Sequence, residues 1–226
     1  MFDCLKISEV EVDFVDKMGD DRTVVNAARV SMNRHRSTDE PLDEADARLL
    51  IYMAKHGHWS PFSHPQLSVR IQAPLFVARQ LYRHQIGLTV NEISRRYVST
   101  EPEFFLPEQF RKFPEHGIKQ GSGGPVSYSV QSEATRVLEY AYQYALQTYN
   151  LLLSYGIAPE QARMVLPQAM MTQWYWTGSL YAFYRVVKLR IASDAQQETQ
   201  LVAQRLNELL NEHFPRAYAA LCETGV

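Results

Sequence analysis

Cysteine is scarce in this sequence, and its scarcity argues against two kinds of protein. The 226 residues contain two cysteines, Cys4 and Cys222, near opposite ends of the chain. Neither belongs to a CxxC pair or lies beside a histidine in a metal-ligand pattern, which disfavours both a disulfide framework and a zinc site. Neither stretch of sequence indicates the electropositive pocket that a nucleophilic thiolate needs. We therefore expect inert thiols and no metal site.

Net charge and long apolar runs are also lacking. The formal net charge is -2 at pH 7, so the chain has no overall positive field to attract nucleic acid or anionic lipid. No apolar stretch approaches membrane-spanning length, and the N-terminus has no basic flank followed by an apolar segment. We expect a cytoplasmic protein with no membrane or nucleic-acid partner, in which local groups hold any bound anion.

The rest of the composition is typical of a folded protein. Hydrophobic residues make up 46% of the chain and charged residues 21%, as in ordinary globular proteins. A chain of this length buries a sizeable core. It contains no internal repeat and no segment with the composition of a linker. We therefore predict a single domain over residues 1–226.

Local patterns predict helices mixed with a few strands. Alternating apolar residues predict strands at 10–15, 67–72 and 171–176, whereas residues 87–97 and 117–125 are expected to be irregular. Strands this few and this separated do not alternate regularly with helices, so the pattern favours an α+β domain. Helical spacing, caps and glycine stops predict helices from Asp21, taken as the N-cap, to Ser31, over 42–56, from Pro74 onwards, over 130–152, 159–166, 180–191 with Ser179 as its cap, and 195–213.

The third predicted helix, PLFVARQLYRHQ, carries polar groups in pairs. Arg79 and Arg83 lie four residues apart on one face, as do Gln80 and His84. Stacked like charges mildly destabilise a helix unless an anion or a carboxylate lies between them. Two solvated arginines would explain the pair equally well. The next stretch, TVNEISRRY at 89–97, gathers amide, carboxylate, hydroxyl and guanidinium groups, which favours a site for a nucleotide phosphate.

A motif in the run FVARQLYRHQIGLTVNEISRRY, residues 76–97, carries a family resemblance. The run resembles the RHRxxSxNExSxR motif of flavin-dependent thymidylate synthases. The segments NAARVS, KHGHWSPFSH, QARMVLP and LRIASDAQQE resemble family segments in the same order, so the resemblance covers nearly the whole chain. The matching motif positions are Arg83, His84, Asn91, Glu92, Ser94 and Arg96, with Thr89 in place of the first serine.

The resemblance implies a fold, an assembly and a reaction. The implied fold is a central, mostly antiparallel sheet flanked by long helices. The implied assembly is a homotetramer whose active sites are shared between subunits. The implied reaction is C5-methylation of dUMP to dTMP, with 5,10-methylenetetrahydrofolate as carbon donor, reduced FAD as hydride source and NADPH to recharge the flavin. The cofactor carries the redox chemistry, and the protein binds and orients it.

The side chains available fit one of two routes to this reaction. C5 of uracil becomes nucleophilic either when a cysteine thiolate adds at C6 or when positive charge and hydrogen bonds polarise the ring. Because neither cysteine is a convincing nucleophile, the second route fits the sequence. The resemblance implies that Arg190 polarises the ring. Ser94 is a weaker catalytic candidate, since it lacks an adjacent general base and would position the substrate. The other implied nucleotide ligands are Gln80, Leu81, Tyr82, Arg83, Glu92, Ile93, Arg95, Arg96 and Arg163, and the implied FAD ligands are His58, Ser60, Arg83, His84, Gln85, Glu92, Ser179, Tyr181 and Arg185.

The chain departs from the family pattern mostly on the implied flavin side. Gln85 replaces the third basic residue of the motif, and one extra residue precedes Thr89. Ser179 begins a run unlike the family's Asn-x-Arg-Ser-Leu, Arg185 replaces an asparagine, and Asp194 stands where a histidine is common. These changes leave two alternatives open: methylation of UMP in modified-nucleoside biosynthesis, and a nucleotide-binding homologue that has lost flavin catalysis. A third alternative, an RNA-binding module, rests on Arg79, Arg83, Arg95, Arg96 and the aromatic residues, and the near-neutral net charge argues against it.

Overall fold

A four-stranded antiparallel sheet in the order β1-β2-β4-β3 forms the centre of the protein. The computed structural model describes residues 5–35, 37, 40–98, 100–114 and 121–224. The mixture of helices with an antiparallel sheet in a single domain confirms the α+β prediction. The strands are β1 (Glu11–Met18), β2 (Gln66–Pro74), β3 (Leu88–Glu92) and β4 (Met171–Ser179); the helices are α1 (Asp21–Arg29), α2 (Glu44–Lys55), α3 (Leu75–Leu81), α4 (Tyr128–Ser154), α5 (Pro159–Ala162), α6 (Leu180–Arg190), α7 (Gln197–His213) and α8 (Pro215–Thr224).

The core lies on one face of the two central strands. β2 and β4 pair over their full length, from Gln66 opposite Ser179 to Pro74 opposite Met171. Alternate residues of β2 are fully buried, and Trp174 and Trp176 of β4 point to the same face. Helices α6, α7 and α8 contribute the opposing apolar side chains. The other face is polar, which leaves this sheet half-buried as period-two alternation predicts.

The expected cap of the first helix is wrong by one residue. Asp20 is the N-cap of α1, and its carboxylate accepts hydrogen bonds from the backbone N–H groups of Arg22 and Thr23. Asp21 instead points inward and accepts from the backbone N–H groups of Arg216 and Ala217 at 3.0 and 2.9 Å. A buried carboxylate therefore ties the start of α1 to the start of α8.

Two elements are absent from the sequence prediction. Residues 88–92, expected to be irregular, form the edge strand β3, which pairs with β4 from Leu88 opposite Gly178 to Glu92 opposite Trp174. Its side chains are almost all exposed, so it has no apolar alternation to detect. Helix α8 follows the predicted last helix after a break at Phe214. Of the second expected irregular segment, residues 117–120 lie outside the described part of the chain.

Helix α4 confirms the long helix predicted from its apolar spacing. Its inner face packs through Tyr142, Leu146 and Tyr149, and the Tyr142 ring stacks on Phe104 at a centroid distance of 5.1 Å. Large side chains also cover its outer face, where Tyr144 is 74% exposed. The helix therefore presents an apolar surface outside its own core.

The expectations about thiols, metals and membranes meet the structure only in part. Cys222 lies on α8, where desolvation raises the pKa of its thiol and so disfavours the reactive thiolate; Cys4 lies outside the described residues. Within the described residues, no group of three or more His, Cys, Asp or Glu side chains could hold a metal ion. Over the same part of the chain, no helix is both long and apolar enough to cross a bilayer.

Candidate active site

Helix α3 positions the first group of predicted ligands. It starts immediately after β2, where the N–H groups of Leu75 and Phe76 bond to the carbonyls of Met170 and Gln168. The helix is short, and Tyr82 forms its C-cap. Its last turn and the residues beyond it therefore carry the polar side chains of the motif against β4 and the helices that follow it.

Arg190, at the end of α6, meets the motif at His84. Its Nε donates a hydrogen bond to Nε2 of His84 at 3.0 Å, and one of its terminal nitrogens donates to the carbonyl of Gln80 at 3.5 Å. Burial lowers the pKa of His84, and the positive charges of Arg190 and Arg185 lower it further. The ring is therefore held neutral beside two arginines.

The side chain of Gln80 is held by the start of α7. Its amide nitrogen donates to the side-chain oxygen of Gln196, and its oxygen accepts from the hydroxyl of Thr199 at 3.2 Å. The amide nitrogen of Gln196 in turn donates to Glu198 at 3.0 Å. Glu198 is 6% exposed, and both of its carboxylate oxygens accept hydrogen bonds from Arg111, at 2.8 and 2.9 Å. We call this chain of contacts the Gln80 network.

The second half of the motif lies at the end of β3. Glu92 accepts a hydrogen bond of 2.6 Å from the hydroxyl of Thr172 on β4. The buried hydroxyl of Tyr82 has no hydrogen-bond partner of normal geometry within the described residues, and burial together with the nearby Glu92 carboxylate raises its pKa. In the turn that follows, the Nε of Arg96 donates to Ser94 Oγ at 3.3 Å. The Ser94 hydroxyl and the Arg96 guanidinium therefore lie side by side.

A separate cleft of about 470 Å³ opens where β4 leads into α6. The indole of Trp59 and the ring of Tyr181, both part of its lining, stack on each other with centroids 6.0 Å apart. Gly87 has a left-handed backbone with a φ of +76°, which brings its main chain against Ala182 and Ser179 on the neighbouring wall. We call this space the aromatic cleft. Its lining residues are Trp59, Ser63, Gln66, Ile86, Gly87, Ser179, Tyr181, Ala182 and Arg185.

The predicted residues thus fall into groups. Arg190, His84 and Gln80 are in contact, and the guanidinium of Arg185 acts electrostatically on His84 while lining the aromatic cleft. Ser179 and Tyr181 line the same cleft, and the Ser179 hydroxyl is used there as the N-cap of α6, as predicted. The arrangement places the implied ring-polarising arginine next to the implied flavin ligands.

Other predicted ligands are placed less closely. Leu81 is fully buried in the core, so only its backbone is available to a ligand. Ile93 and Arg95 line a separate cavity of about 110 Å³ with Thr172 and Glu103, and burial lowers the pKa of Arg95. Five further predicted ligands have exposed side chains, and none of them forms a hydrogen bond with Arg190 in the described part of the chain. They are His58, Ser60, Arg83, Gln85 and Arg163.

The structure adds residues that sequence reasoning missed. Trp59 and Gly87 shape the aromatic cleft, and Gln196 and Thr199 hold Gln80. Trp59 and Gln196 occur inside the segments KHGHWSPFSH and LRIASDAQQE that carry the resemblance. The signal was therefore present, but nothing in the spacing showed which side chains face the site.

Known proteins similar to this chain include thymidylate synthases. The sequence profile of the thymidylate synthase complementing protein family matches residues 13–216. A flavin-dependent thymidylate synthase of Thermus thermophilus is 41% identical over 94% of this chain and 75% of its own. The enzyme of the same name from Kosmotoga olearia is 38% identical over 91% of this chain and 87% of its own.

A solved structure gives the same result at the level of the fold. The UMP/dUMP methylase PolB from Streptomyces cacaoi, solved with 5-Br dUMP, superposes with a TM-score of 0.87 at 30% identity, and the match covers 97% of both chains. The chain therefore shares the fold of a nucleotide methylase. It belongs to the thymidylate synthase complementing protein family, which confirms the resemblance carried by the motif.

Proposed function

We propose that the protein methylates C5 of dUMP, with 5,10-methylenetetrahydrofolate as carbon donor, reduced FAD as hydride source and NADPH as reductant of the flavin. Relatives named flavin-dependent thymidylate synthases support an enzyme of this type. One observation carries the proposal: the contact between Arg190 and His84 lies between the Gln80 network and the aromatic cleft. A pyrimidine and a flat redox cofactor could bind there side by side.

Arg190 is suited to polarise the pyrimidine ring. Its guanidinium is permanently charged and carries more donors than the two engaged by His84 and the Gln80 carbonyl. A donor held in place toward a ring carbonyl stabilises the negative charge that develops when the ring is activated. Because His84 accepts at Nε2, the guanidinium is oriented before substrate arrives.

The aromatic cleft has the chemistry of a flavin site. Two aromatic rings flank it, and the exposed guanidinium of Arg185 stands at its wall, so it offers apolar surface for a planar ring and charge for an anionic group. Trp59, Tyr181 and Arg185 would hold the cofactor, and Ser60 and His58 lie beside Trp59 in the chain. The bound flavin would supply hydride chemistry that no side chain provides.

The turn after β3 is suited to the nucleotide phosphate. Ser94 and Arg96 present a hydroxyl and a guanidinium together, and Arg83 is exposed in the same motif. Charge-assisted hydrogen bonds of this kind are the usual means of holding phosphate. Glu92, anchored by Thr172, would accept from a sugar hydroxyl or a ring N–H.

Assembly into a homotetramer with shared sites is part of the proposal. Helix α4 exposes Val137, Tyr140 and Tyr144 on its outer face, and such apolar patches mark protein interfaces. Arg163 lies just after α5, close to α4, so a partner subunit docked on α4 could receive it. We place the enzyme in the cytoplasm on the ground that nucleotide synthesis would take place there.

Methylation of UMP is the second candidate. It is favoured by the structural match to PolB, which is named a UMP/dUMP methylase. The extra residue before Thr89 also alters the loop between His84 and β3, close to both proposed ligands. A nucleotide with or without a 2′-hydroxyl would be tolerated if this loop leaves room beside the sugar.

Release of tritium from C5 tests both candidates. Purified protein loaded with FAD is supplied with NADPH, 5,10-methylenetetrahydrofolate and either C5-tritiated dUMP or C5-tritiated UMP. Faster release from dUMP supports the first proposal, and faster release from UMP supports the second. If both nucleotides stay inert while the protein binds FAD, both proposals are wrong. A protein that binds nucleotide but cannot be loaded with FAD would instead be a homologue without flavin catalysis.

A further inference from the structure

The Gln80 network contains an acceptor at one end that determines which way each amide points. A glutamine amide can turn over and exchange its N–H and C=O groups, so its orientation follows from its partners. The Glu198 carboxylate is buried and paired with Arg111 at 2.8 Å. A carboxylate in an ion pair only accepts hydrogen bonds. Its neighbour Gln196 must therefore turn its amide nitrogen toward it.

The orientation then passes from one amide to the next. Because the nitrogen of Gln196 faces Glu198 at 3.0 Å, its oxygen faces Gln80. Gln80 must then present its own nitrogen to Gln196, and its oxygen is left facing the hydroxyl of Thr199. The hydroxyl of Thr199 can donate or accept, so it accommodates this orientation without determining it. The ion pair of Glu198 and Arg111 therefore sets the orientation of both glutamine amides in the Gln80 network.

Gln80 is half-buried and retains bonding capacity. One amide N–H and one lone pair of its oxygen remain after the bonds to Gln196 and Thr199. An amide edge with this pair can bind uracil, in which N3–H donates and O4 accepts. Cytosine has the opposite order, since N3 accepts and the amino group donates. An amide that cannot turn over would bind only one of the two rings well.

We propose that Gln196 and Glu198 are positioning residues that set the orientation of Gln80 and so select a uracil ring over a cytosine ring. This inference rests on the proposed function, because it takes Gln80 as a ligand of the pyrimidine. Arg111 also contributes to this arrangement, since it donates a hydrogen bond to each carboxylate oxygen of Glu198 and so fixes that side chain in place. None of the three needs to touch the nucleotide.

Two nearly isosteric changes remove the directing group. In Glu198→Gln the side chain can donate as well as accept, so Gln196 and Gln80 are free to turn over together. In Gln196→Leu the ion pair of Glu198 is kept, but the hydrogen bond between residue 196 and Gln80 is lost. In both variants the ratio of the dissociation constant of dCMP to that of dUMP should fall by about tenfold. This is the effect expected when Gln80 can turn over and form one more hydrogen bond with cytosine. Glu198→Asp keeps an acceptor and should keep the wild-type ratio.

The measurement is calorimetric binding of dUMP and of dCMP to the FAD-loaded protein. Glu208→Gln is the matched control. Like Glu198, Glu208 lies on α7 and forms an ion pair with an arginine, here Arg205 at 2.7 Å, but this pair is exposed. A general loss of packing weakens both nucleotides alike and leaves their ratio unchanged. The proposal is supported if the preference for dUMP over dCMP decreases in Glu198→Gln and Gln196→Leu but not in Glu198→Asp or the control.

The outcomes separate this inference from the function on which it rests. If the wild-type protein does not bind dUMP, the proposed function is wrong. If it binds dUMP in preference to dCMP and both Glu198→Gln and Gln196→Leu keep that preference, the function stands and the positioning role is overturned. If Glu198→Gln fails to fold, Gln196→Leu alone decides, because it leaves the buried ion pair intact.

Discussion

The Nε atom of Arg190 donates a hydrogen bond to Nε2 of His84 across 3.0 Å. An imidazole nitrogen that accepts a hydrogen bond cannot also carry a proton, so His84 is neutral when the contact is made. Burial and the charges of Arg190 and Arg185 both favour this neutral form, and the pKa of His84 is lowered accordingly. The orientation of Arg190 therefore depends on pH.

The first prediction concerns stability in mild acid. The unfolded chain takes up a proton at this histidine as the pH falls through about 6.5, whereas folded His84 stays neutral to lower pH. Over that interval the unfolded state binds more protons, so the free energy of unfolding falls as the pH falls. The loss begins near the ordinary histidine pKa and is complete below the lowered one. His84→Gln should remove this component of the pH dependence.

Urea unfolding across a series of pH values from about 7.5 to 5 measures the effect. His35→Gln is the control, because His35 is an exposed histidine. On acidification, the free energy of unfolding of the wild type should fall relative to that of His84→Gln, but it should stay parallel to that of His35→Gln. Equal behaviour of the two variants would mean that His84 is not shielded from protonation in the folded protein.

The second prediction concerns catalysis. Arg190→Ala should lower turnover of the preferred nucleotide by about 100-fold or more, as when a charge-stabilising donor is removed from an active site. Because Arg190 lies at the end of α6 rather than in the core, the fold should be retained. Lys188→Ala, which removes an exposed positive charge from the same helix, should leave turnover unchanged. Tritium release and circular dichroism on both variants make the comparison. Full activity of Arg190→Ala would contradict the proposed mechanism.

Much of the fold could be predicted from periodicity because burial imposes it. β2 and β4 pack one face on the core and show alternation, and α4 shows helical spacing on its inner face. β3 could not be detected in this way, because an exposed edge strand has no buried face to impose a pattern. The shift of the cap from Asp21 to Asp20 has a different cause, since the carboxylate of Asp21 bonds to a helix at the far end of the chain.

The sequence names candidate site residues, but it does not show which of them lie in contact. Arg190, His84 and Gln80 could be named from a resemblance, but their mutual contacts bring together α3, α6 and α7. No local pattern reports such a contact. Gln196 and Trp59 were overlooked because a glutamine and an exposed tryptophan have many ordinary uses, and only their neighbours in space give them a role.

The third prediction tests the main-chain approach at the aromatic cleft. Gly87 has a φ of +76°, and a Cβ there would lie 3.1 Å from the Cβ of Ala182. Gly57 has a similar φ of +68°, but a Cβ there would meet nothing within 4 Å. Gly57→Ala should therefore cost only the backbone strain, about 1–2 kcal/mol. Gly87→Ala should cost more and should also weaken FAD binding. Thermal unfolding and flavin titration of the two variants give the comparison. Equal losses of stability and of FAD affinity would show that Ala182 moves aside to accommodate the added methyl group.

The fourth prediction tests the aromatic side chains of the same cleft. Trp59 is 55% exposed although it stacks on Tyr181, so its indole has a face available to a planar ligand. Trp59→Ala should weaken FAD binding by about tenfold or more, since stacking on an aromatic ring contributes about 1–3 kcal/mol. Phe14→Ala, which removes an exposed aromatic ring from β1 at the opposite edge of the sheet from β3, should leave FAD affinity unchanged. Equal flavin affinity in the wild type and Trp59→Ala would place the cofactor elsewhere.

The fifth prediction concerns the buried carboxylate that joins the two ends of the fold. Asp21 is 8% exposed and accepts hydrogen bonds from two backbone N–H groups at the start of α8. Asp21→Ala leaves both donors without this acceptor and should lower the free energy of unfolding by about 1–3 kcal/mol. Glu223→Ala, on the same helix but exposed, should change it by less than about 0.5 kcal/mol. Equilibrium unfolding in urea measures both values. If the two variants are equally stable, α8 is held by its apolar face alone, through residues such as Leu221, and the carboxylate is dispensable.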